Sequence, residues 1–400
     1  MNILFIHQYF KTPNEPGATR IYFIVKRLME HGHHVTVVTQ SKGAKVGREV
    51  KEVDGIQVVY LKNAYSNHMS IPMRLKSFAN FMMKASIEVF NHKRMDLVIA
   101  TSTPLSVGLP ALLLKWFRNV PFIFEVRDLW PEVPIQMGGI KNPIVKKLAI
   151  GFEKLIYRNA RHIVTLSPGM YAGVARYVDA NKISMIPNMA KIDRFWPRAK
   201  NVGLEKELGL KSESIKVIHF GTMGIANGLL YMLEAAKILQ DQGEHDIVFV
   251  LLGEGRCEND LRHFTEIHHL RNVHFYKRVP MDLTSEIINL CDISLVSFKD
   301  IPILSTNSPN KLFDSLAAGK PIIVNSDGWT RKLVEDSQCG AYVDPNKPEA
   351  LAQLLVDWKH KPQWLTAMAN NSRQLAVTTY SESRLTKEYV DIVNALPIAH

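Results

Sequence analysis

Side chains that could do chemistry are most concentrated in residues 307–321, NSPNKLFDSLAAGKP. Ser308 is a good N-cap and Pro309 suits the first helical position, so the pattern predicts a helix that begins here. Lys311 would lie in its first turn, where free backbone N–H groups and the helix dipole attract a phosphate or diphosphate. Asp314 follows on the same face, where a carboxylate could accept hydrogen bonds from two ribose hydroxyls. Alternatively, Lys311 and Asp314 form an ordinary i,i+3 ion pair on a surface helix.

The elements that must position these side chains alternate along the whole chain. Short apolar runs typical of strands are separated by helix-length amphipathic segments, and the second half repeats the pattern of the first. The predicted strands are 3–6, 35–39, 57–61, 97–100, 122–126, 162–166, 184–186, 216–220, 247–252, 273–276, 293–296 and 322–324. The predicted helices of the first half are 19–30, 73–91, 106–116 and 143–159. This alternation predicts an α/β protein with two Rossmann-like, doubly wound parallel sheets that face each other across a cleft.

A chain of 400 residues exceeds what one hydrophobic core normally serves, so two domains are expected. We predict a first Rossmann-like domain over residues 1–197 and a polar linker over 198–214. A second Rossmann-like domain would follow over 215–378, with a C-terminal segment over 379–400.

The loops after the predicted strands supply further candidate residues, because ligands of parallel α/β sheets bind beyond the carboxyl ends of the strands. In the first half, these positions include Gly17, Arg20, Arg127, Asp128 and Glu132. In the second half, they include Gly221, Thr222, Gly224, Gly253 and Arg278. Both halves direct polar or Gly-rich loops at the predicted cleft, which favours a ligand held between the domains.

Composition limits the classes of protein to which this chain can belong. Hydrophobic content of 46% with 22% charged residues is typical of a globular domain, and three scattered cysteines are too few for a disulfide framework or a zinc site. The N-terminal run MNILFIHQYF lacks the basic region and cleavage site of a signal peptide, and the longest apolar stretch, 105–117, is too short to span a bilayer. A cytoplasmic protein is expected.

Charge is distributed unevenly between the halves. Residues 1–200 hold 29 Lys and Arg against 13 Asp and Glu, whereas residues 201–400 hold 20 against 25. Basic amphipathic segments lie at 71–94 and 141–161, and each could lie on an anionic leaflet or be an ordinary Rossmann helix with a solvated basic face. Together with the net charge of +16 in the first half, they favour peripheral association with the inner face of the cytoplasmic membrane. The positive charge has no aromatic interleaving, so no nucleic-acid partner is expected.

Several motifs, in order across nearly the whole chain, resemble the retaining, nucleotide-sugar-dependent glycosyltransferases with the GT-B fold, in particular family 4-like members. IPNMAKIDRFWP at 186–197 is similar to the signature of the domain junction, and HFGTMGIANGLLYMLEAAKIL at 219–239 to the strand, loop and helix that hold the donor phosphates. VLLGEG at 250–255, the Lys311 helix with LAAGKP, and YSESRLTKEYVDIV at 380–393 resemble the nucleotide site and the closing helix. The resemblance implies that residues 1–197 form the acceptor-side domain, that residues 215–378 form the nucleotide-sugar domain, and that a helix over 379–400 crosses back to the first domain. RDLWPE at 127–132 and PNK at 309–311 resemble the subgroup that makes bacterial lipopolysaccharide, capsule and exopolysaccharide.

The resemblance implies a donor site formed by Gly17, Arg20, Gly221, Thr222, Gly224, Gly253, Arg278, Ser308, Pro309, Asn310, Lys311 and Asp314. The family's pair of donor carboxylates would fall at Thr306 and Asp314, so only the second is acidic here. The family's phosphate-loop cations are missing, with Asn227 near the usual Lys, so the resemblance gives their role to Lys311.

No Asp-X-Asp triplet occurs, so we expect a metal-independent site with no cofactor, in which N–H dipoles and cations stabilise the leaving diphosphate. The predicted catalytic residues are Lys311 and Asp128, the latter as base or orienting carboxylate on the acceptor side. Arg127 could hold the pKa of Asp128 low, contact phosphate, or form a salt-bridged pair with Asp128 at a strand end. Glu132 is assigned to the acceptor side, with local capping or pairing as its alternative.

The expected partners are a nucleotide-sugar donor, most simply a UDP-sugar, and a lipid-diphosphate-linked or oligosaccharide acceptor. A UDP-sugar 2-epimerase on a similar scaffold is the alternative enzyme, and it would release free epimerised sugar without an acceptor. A dinucleotide oxidoreductase fits poorly because GTMGIANG at 221–228 lacks the GxGxxG spacing.

Overall fold

The computed structural model describes residues 1–15, 17–41, 47–65, 69 and 71–396. It contains two compact units. The first unit comprises most of the chain up to Pro187 together with the segment from Leu385, and the second unit comprises Asn188–Arg384 and a short segment that begins at Pro13. The division at Pro187 precedes the predicted boundary at residue 197.

An eight-stranded sheet forms the centre of the first unit, in the order β3-β4-β2-β1-β5-β6-β7-β8. Its strands are β1 Asn2–Ile6, β2 His34–Ser41, β3 Arg48–Val53, β4 Ile56–Lys62, β5 Leu97–Thr101, β6 Phe122–Val126, β7 His162–Thr165 and β8 Ile183–Met185. All neighbouring strands are parallel except β3 and β4. Every residue of β5 and β6 is buried, as expected of parallel strands that helices cover on both faces.

The helices of the first unit are α1 Arg20–Glu30, α2 Ile71–Glu88, α3 Gly108–Arg118, α4 Glu132–Gln136, α5 Pro143–Asn159, α6 Pro168–Ala175 and α15 Glu382–Ala395. Helix α15 begins at the end of the second unit, but Leu385 and the residues after it belong to the first. Arg27 of α1 donates to Thr386 (3.1 Å), and His33 Nε2 lies 3.0 Å from Asn394 Oδ1. The last described helix therefore completes the first unit.

In the second unit, a six-stranded parallel sheet has the order β11-β10-β9-β12-β13-β14. Its strands are β9 Ile215–Thr222, β10 Ile247–Glu254, β11 Val273–Tyr276, β12 Ile293–Val296, β13 Ile322–Val324 and β14 Gly340–Tyr342. Its helices are α7 Val202–Glu207, α8 Leu230–Asp241, α9 Glu258–Ile267, α10 Met281–Leu290, α11 Asn310–Ala317, α12 Trp329–Asp336, α13 Pro348–Lys359 and α14 Pro362–Thr378.

The predicted linker over 198–214 is part of the second unit rather than a free connection. It contains α7, and the buried Glu205 of this helix pairs with the buried Lys216 of β9 (Nζ–Oε1 2.9 Å). The backbone N–H of Arg198 also donates to Asn289 Oδ1 (3.2 Å). Polar composition indicated a linker, but these polar groups are used to hold the segment to its own domain.

Candidate active site

Helix α11 begins at Asn310, so the prediction that Ser308 caps it is wrong. The Ser308 hydroxyl instead accepts the backbone N–H of Asn188 (3.2 Å), and the side chain of Asn188 donates to the Ser308 carbonyl (2.5 Å). Pro309 occupies the N-cap position and supplies no side-chain cap. The first backbone N–H groups of α11 are therefore not capped by the predicted hydroxyl.

Lys311 lies in the first turn of α11 and points its ammonium group towards the end of β9. Its Nζ is 3.1 Å from Nε2 of the buried His219, whose Nδ1 lies 3.2 Å from the Leu295 carbonyl. Because a carbonyl only accepts, the proton belongs on Nδ1, and Nε2 is free to accept from Lys311. Burial lowers the pKa of Lys311 to about 7 and, with the Lys311 charge, holds the pKa of His219 well below its usual value.

Asn227 is the third member of this group. When its amide is oriented to satisfy its neighbours, the nitrogen donates to the Thr222 carbonyl (2.7 Å) and the oxygen accepts from Lys311 Nζ (3.3 Å). Asn227, which stands near the position of the family's phosphate-loop Lys, thus contacts Lys311. We call His219, Asn227 and Lys311 the lysine cluster.

Two glycines let the backbone approach closely beside the lysine cluster. Gly221 and Gly253 have φ of +115° and +153°, and a Cβ on Gly253 would lie 1.8 Å from the Gly221 carbonyl oxygen. A Cβ on Gly221 would in turn lie 3.9 Å from Lys311 Nζ. Gly221 and Thr222 are exposed, and Gly224 precedes a short 3-10 turn. The ends of β9 and β10 therefore present bare backbone next to a cation.

Asp314 does not pair with Lys311, so the i,i+3 interpretation is wrong. Its buried carboxylate accepts from Lys191 Nζ. Burial raises the pKa of Asp314, and the Lys191 charge opposes that rise. Thr306, at the position of the missing carboxylate, donates to the Ile303 carbonyl (2.7 Å). Arg278 is exposed just after β11.

In the first unit, Asp128 follows β6 and accepts a hydrogen bond from Thr103 Oγ1 (2.7 Å). Burial raises the pKa of Asp128, and this outweighs the hydrogen bond from Thr103 and the charge of Arg127. The prediction that Arg127 holds this pKa low is therefore wrong. A carboxylate with a raised pKa is a stronger base than an ordinary aspartate.

Arg127 turns to the end of β1 instead. Its Nη1 lies 3.4 Å from Nε2 of the buried His7, and its backbone N–H donates to Ser102 Oγ (2.9 Å). His7 Nδ1 lies 2.7 Å from Thr101 Oγ1, and burial together with the Arg127 charge holds the pKa of His7 well below its usual value. A neutral imidazole and a guanidinium thus lie at the carboxyl ends of β1 and β6, the two strands on either side of β5.

Four partly exposed aromatic side chains form a row beside these residues. Tyr9 and Tyr65 have ring centroids 4.8 Å apart, Tyr65 and Phe78 are 5.9 Å apart, and Phe78 and Trp130 are 6.1 Å apart. Tyr9 follows His7 by two residues and Trp130 follows Asp128 by two, so the row extends between the loops after β1 and β6.

Comparison with protein families matches both units. The description "Glycosyl transferase 4-like domain" matches residues 17–189, and "Glycosyl transferases group 1" matches residues 204–375. The chain belongs to the family 4-like glycosyltransferases. It shares its fold with sucrose-phosphate synthase from Thermosynechococcus elongatus (TM-score 0.78, 16% identity, 98% of both chains covered). It also shares its fold with HepE from Anabaena in complex with UDP-glucose (TM-score 0.74, 16% identity, 99% and 100% covered). The predicted GT-B fold is confirmed.

The curated relatives have a higher sequence identity to this chain than these two structures do. The glycosyltransferase WbjE of Pseudomonas aeruginosa is 21% identical over 66% of both chains. An Escherichia coli UDP-Gal:α-D-GlcNAc-diphosphoundecaprenol α-1,3-galactosyltransferase is 28% identical over 54% of this chain and 56% of its own. The chain therefore spans less than two thirds of the length of these two relatives. WcaI of Escherichia coli K12, named for colanic acid biosynthesis, is 22% identical over 92% of this chain and 93% of its own.

Arg20 is fully buried and does not present its charge to a ligand. Its guanidinium pairs with Glu125 of β6 (3.3 Å) and donates to the carbonyls of Pro187 (2.5 Å) and Ile186 (3.0 Å). The structure thus supports a structural role for Arg20 rather than the predicted contact with the donor. Through Arg20, the backbone at Ile186 and Pro187, where the chain leaves the first unit, is held against the central sheet.

Glu132 and Gly17 are the remaining predicted residues of the first unit. Glu132 begins α4 and accepts from Gln136 Nε2 (2.7 Å), which is the local pairing considered as its alternative. Gly17 has φ of +152°, a conformation that L side chains rarely adopt. Within the described part of the chain, no group of three or more His, Cys, Asp or Glu could hold a metal ion. Sequence reasoning missed His219, Thr103 and Lys191 as neighbours of the key residues, because each contact joins distant parts of the chain.

Proposed function

We propose that the glycosyltransferase transfers a sugar from a UDP-sugar to a lipid-diphosphate-linked or saccharide acceptor, with retention of the anomeric configuration. The observation that carries the proposal is the lysine cluster beside the bare backbone of Gly221 and Gly253. A half-buried ammonium group beside the exposed backbone of Gly221, at the end of β9, is suited to a diphosphate.

The chemistry needs stabilisation of the diphosphate as it leaves. Lys311 supplies one positive charge, and its partners His219 and Asn227 are neutral, so this charge is available to the phosphate oxygens. Each donor aimed at the developing charge lowers the barrier by about 3 kcal/mol, by analogy with oxyanion holes. We propose that this arrangement acts without a metal ion, and that chelators therefore leave the rate unchanged.

On the acceptor side, we propose that Asp128 receives or orients the proton of the attacking hydroxyl. Its raised pKa and its contact with Thr103 support this role. The aromatic row from Tyr9 to Trp130 offers ring faces on which the apolar face of an acceptor sugar can stack. The galactosyltransferase relative is named for a GlcNAc-diphosphoundecaprenol acceptor, which supports an acceptor of that class here.

The biological setting follows from the same relatives. We propose a role in bacterial surface polysaccharide synthesis, supported by the likeness to WcaI, and a cytoplasmic enzyme that works on the inner face of the membrane. In the described part of the chain, every helix is too short or too polar to cross a membrane.

The first experiment is thermal stabilisation of the purified protein by UDP, GDP, ADP, NAD and several UDP-sugars without added metal. A bound ligand raises the melting temperature by mass action. We expect a shift with UDP, a larger one with a single UDP-sugar, and loss of both in Lys311→Ala. Lys332→Ala, which removes an exposed lysine of α12, is the matched control and should keep the shift. A melting-temperature shift with NAD alone, or the absence of a shift with every nucleoside diphosphate, would contradict the proposal.

The second experiment follows the products. With the UDP-sugar so identified and a GlcNAc-diphosphate-lipid analogue, we expect a new glycoside whose anomeric configuration, read by NMR coupling constants, equals that of the donor. Inversion would overturn the retaining mechanism. Release of free epimerised sugar without any acceptor would instead establish the epimerase.

A further inference from the structure

Helices α2, α3 and α5 form a continuous layer on one side of the first sheet. Helix α3 packs against α2 and against α5, and Trp116 Nε1 of α3 donates to Asn159 Oδ1 of α5 (3.4 Å). Each of these helices connects parallel strands of the sheet, and right-handed crossovers in one direction place such helices on the same face. Their outward sides therefore form a single surface.

That surface carries an unusual share of the exposed apolar side chains. The described residues include 20 large hydrophobic side chains that are exposed, and ten of them lie on these three helices. The ten are Met73, Leu75, Met83, Ile87, Trp116, Phe117, Ile144, Val145, Leu148 and Leu155, which we call the docking face. Phe117, Ile87 and Ile144 are 73%, 71% and 69% exposed. Side chains this exposed contribute little to the core of the first unit.

Basic side chains surround the docking face, and exposed acids are absent from the described side chains of its helices. The nine basic residues are Arg74, Lys76, Lys84, Lys115, Arg118, Lys146, Lys147, Lys154 and Arg158. The acids of the three helices are Glu88 and Glu153, both buried, and Glu88 pairs with Arg48 and His92. All the exposed charges among the described side chains of these three helices are therefore positive.

Helix α5 shows how the two kinds of side chain are arranged. Ile144, Leu148 and Leu155 follow the spacing of one helix face, and all three are exposed. Lys147 and Lys154 directly precede Leu148 and Leu155. An amphipathic helix with apolar side chains flanked by lysines lies in the boundary between headgroups and acyl chains.

We propose that the docking face binds the surface of an anionic phospholipid bilayer, with Trp116 and Phe117 of α3 as its central anchors. Aromatic side chains favour the headgroup level, and basic side chains are attracted by the negative potential of the leaflet. The uniform positive charge selects an anionic bilayer over a second copy of this chain, whose docking face would repel it. The inference deepens the proposed function, since a lipid-linked acceptor lies in that bilayer, but the surface itself is independent of the transfer chemistry.

The test is sedimentation of the full-length protein with phosphatidylcholine vesicles, with and without phosphatidylglycerol. We expect binding only to the anionic vesicles. Lys146→Glu with Lys147→Glu should weaken this binding at least about fivefold for each charge changed. Phe117→Ser with Leu148→Ser should weaken it without removing its salt dependence. Brominated lipids should quench tryptophan fluorescence in the wild type, and Trp116→Phe should lose that quenching.

Matched controls lie in the second unit. Ile267→Ser removes a side chain that is 57% exposed on α9, and Lys211→Glu reverses an exposed charge before β9. Both should bind vesicles as the wild type does, and all variants should transfer sugar to a water-soluble acceptor at the wild-type rate. Undiminished vesicle binding by the docking-face variants would overturn the proposal. Self-association of the wild type without vesicle binding would also overturn it, in favour of an interface between copies. Loss of transfer with intact vesicle binding would instead count against the proposed chemistry.

Discussion

Lys311 is proposed to bind the diphosphate, but its surroundings in the free protein disfavour its positive charge. Its neighbours His219 and Asn227 accept hydrogen bonds but carry no negative charge, so partial burial lowers its pKa to about 7. An arriving diphosphate supplies the missing negative charge and favours the ammonium form. Binding of the nucleotide is therefore linked to the uptake of a proton at this side chain.

That linkage predicts a pH dependence of UDP binding. Above pH 7, free Lys311 is mostly neutral and must gain a proton on binding, so the Kd for UDP should rise by up to about tenfold per pH unit. Isothermal titration calorimetry in buffers of different ionisation enthalpy should report this proton uptake. Lys311→Ala should bind UDP weakly, and the pH dependence of its Kd should reflect only the titration of the UDP phosphate. Equal proton uptake in the variant and the wild type would rule out Lys311 as the group involved.

Asp128 gives a second pH prediction. As a base it acts in its ionised form, so the rate should rise with pH through a pKa above the ordinary aspartate value and then level off. Asp128→Asn should lower kcat by about 10²–10⁴-fold while the thermal shift with UDP remains.

Thr103 provides the control for this assignment. Its hydroxyl favours the ionised form of Asp128, so Thr103→Val should move the acidic limb of the rate profile to higher pH. An unchanged limb in Thr103→Val, together with full activity in Asp128→Asn, would remove Asp128 from the mechanism.

Among the elements, β9 and β10 depend on a glycine at their paired carboxyl ends, where Gly253 lies opposite Gly221. Gly253→Ala would place a Cβ 1.8 Å from the Gly221 carbonyl oxygen in a strained backbone conformation. We expect a loss of about 2–4 kcal/mol in the free energy of unfolding, together with weaker UDP binding. Gly243→Ala also has a positive φ but meets no atom within 4 Å, so in urea unfolding it should cost clearly less.

The buried ion pair between α7 and β9 makes a further prediction. Lys216→Met should cost about 3–5 kcal/mol, because it leaves the Glu205 carboxylate buried without its partner. Glu205→Leu combined with Lys216→Met should recover much of that loss. Chemical denaturation gives the free energy of unfolding of Lys216→Met and of the double variant. Equal values for these two variants would show that the ion pair does not couple α7 to β9.

All twelve strands predicted from the sequence exist, with ends shifted by at most a few residues, because buried parallel strands are continuous apolar runs. The two strands that were missed carry no such run. REVKEV of β3 alternates charge at the edge of the sheet, and β14 has only three residues. β3 is also the antiparallel exception in a sheet predicted to be parallel.

Prediction of the site was limited by partners that are distant in sequence. Local rules place Lys311 in the first turn of a helix, but only the folded chain brings His219 to it, 92 residues away. The carboxylate of Asp314 pairs with Lys191 rather than with its neighbour in α11. Arg20 was assigned to a ligand because it follows a strand, yet Glu125 and two carbonyls use its charge.

On the scale of the whole molecule, the end of the chain stabilises its beginning. Tyr389, Val390 and Val393 of α15 are fully buried in the first unit. Tyr389→Ala should destabilise that unit by about 3–5 kcal/mol. Hydrogen exchange should accelerate in α1 and β1 and stay unchanged in β9 and β10. Uniform acceleration in both units would show that α15 does not act on the first unit alone.

The position of α15 also sets an order of events during synthesis. Nearly all of the second unit is one continuous stretch, Asn188–Arg384, so this stretch can fold as soon as it emerges from the ribosome. Most of the first unit emerges earlier but lacks the helix that covers Arg27 and His33 until α15 has been translated. The first unit is therefore started before the second unit and completed after it, and the docking face is carried by a finished domain only once α15 has emerged.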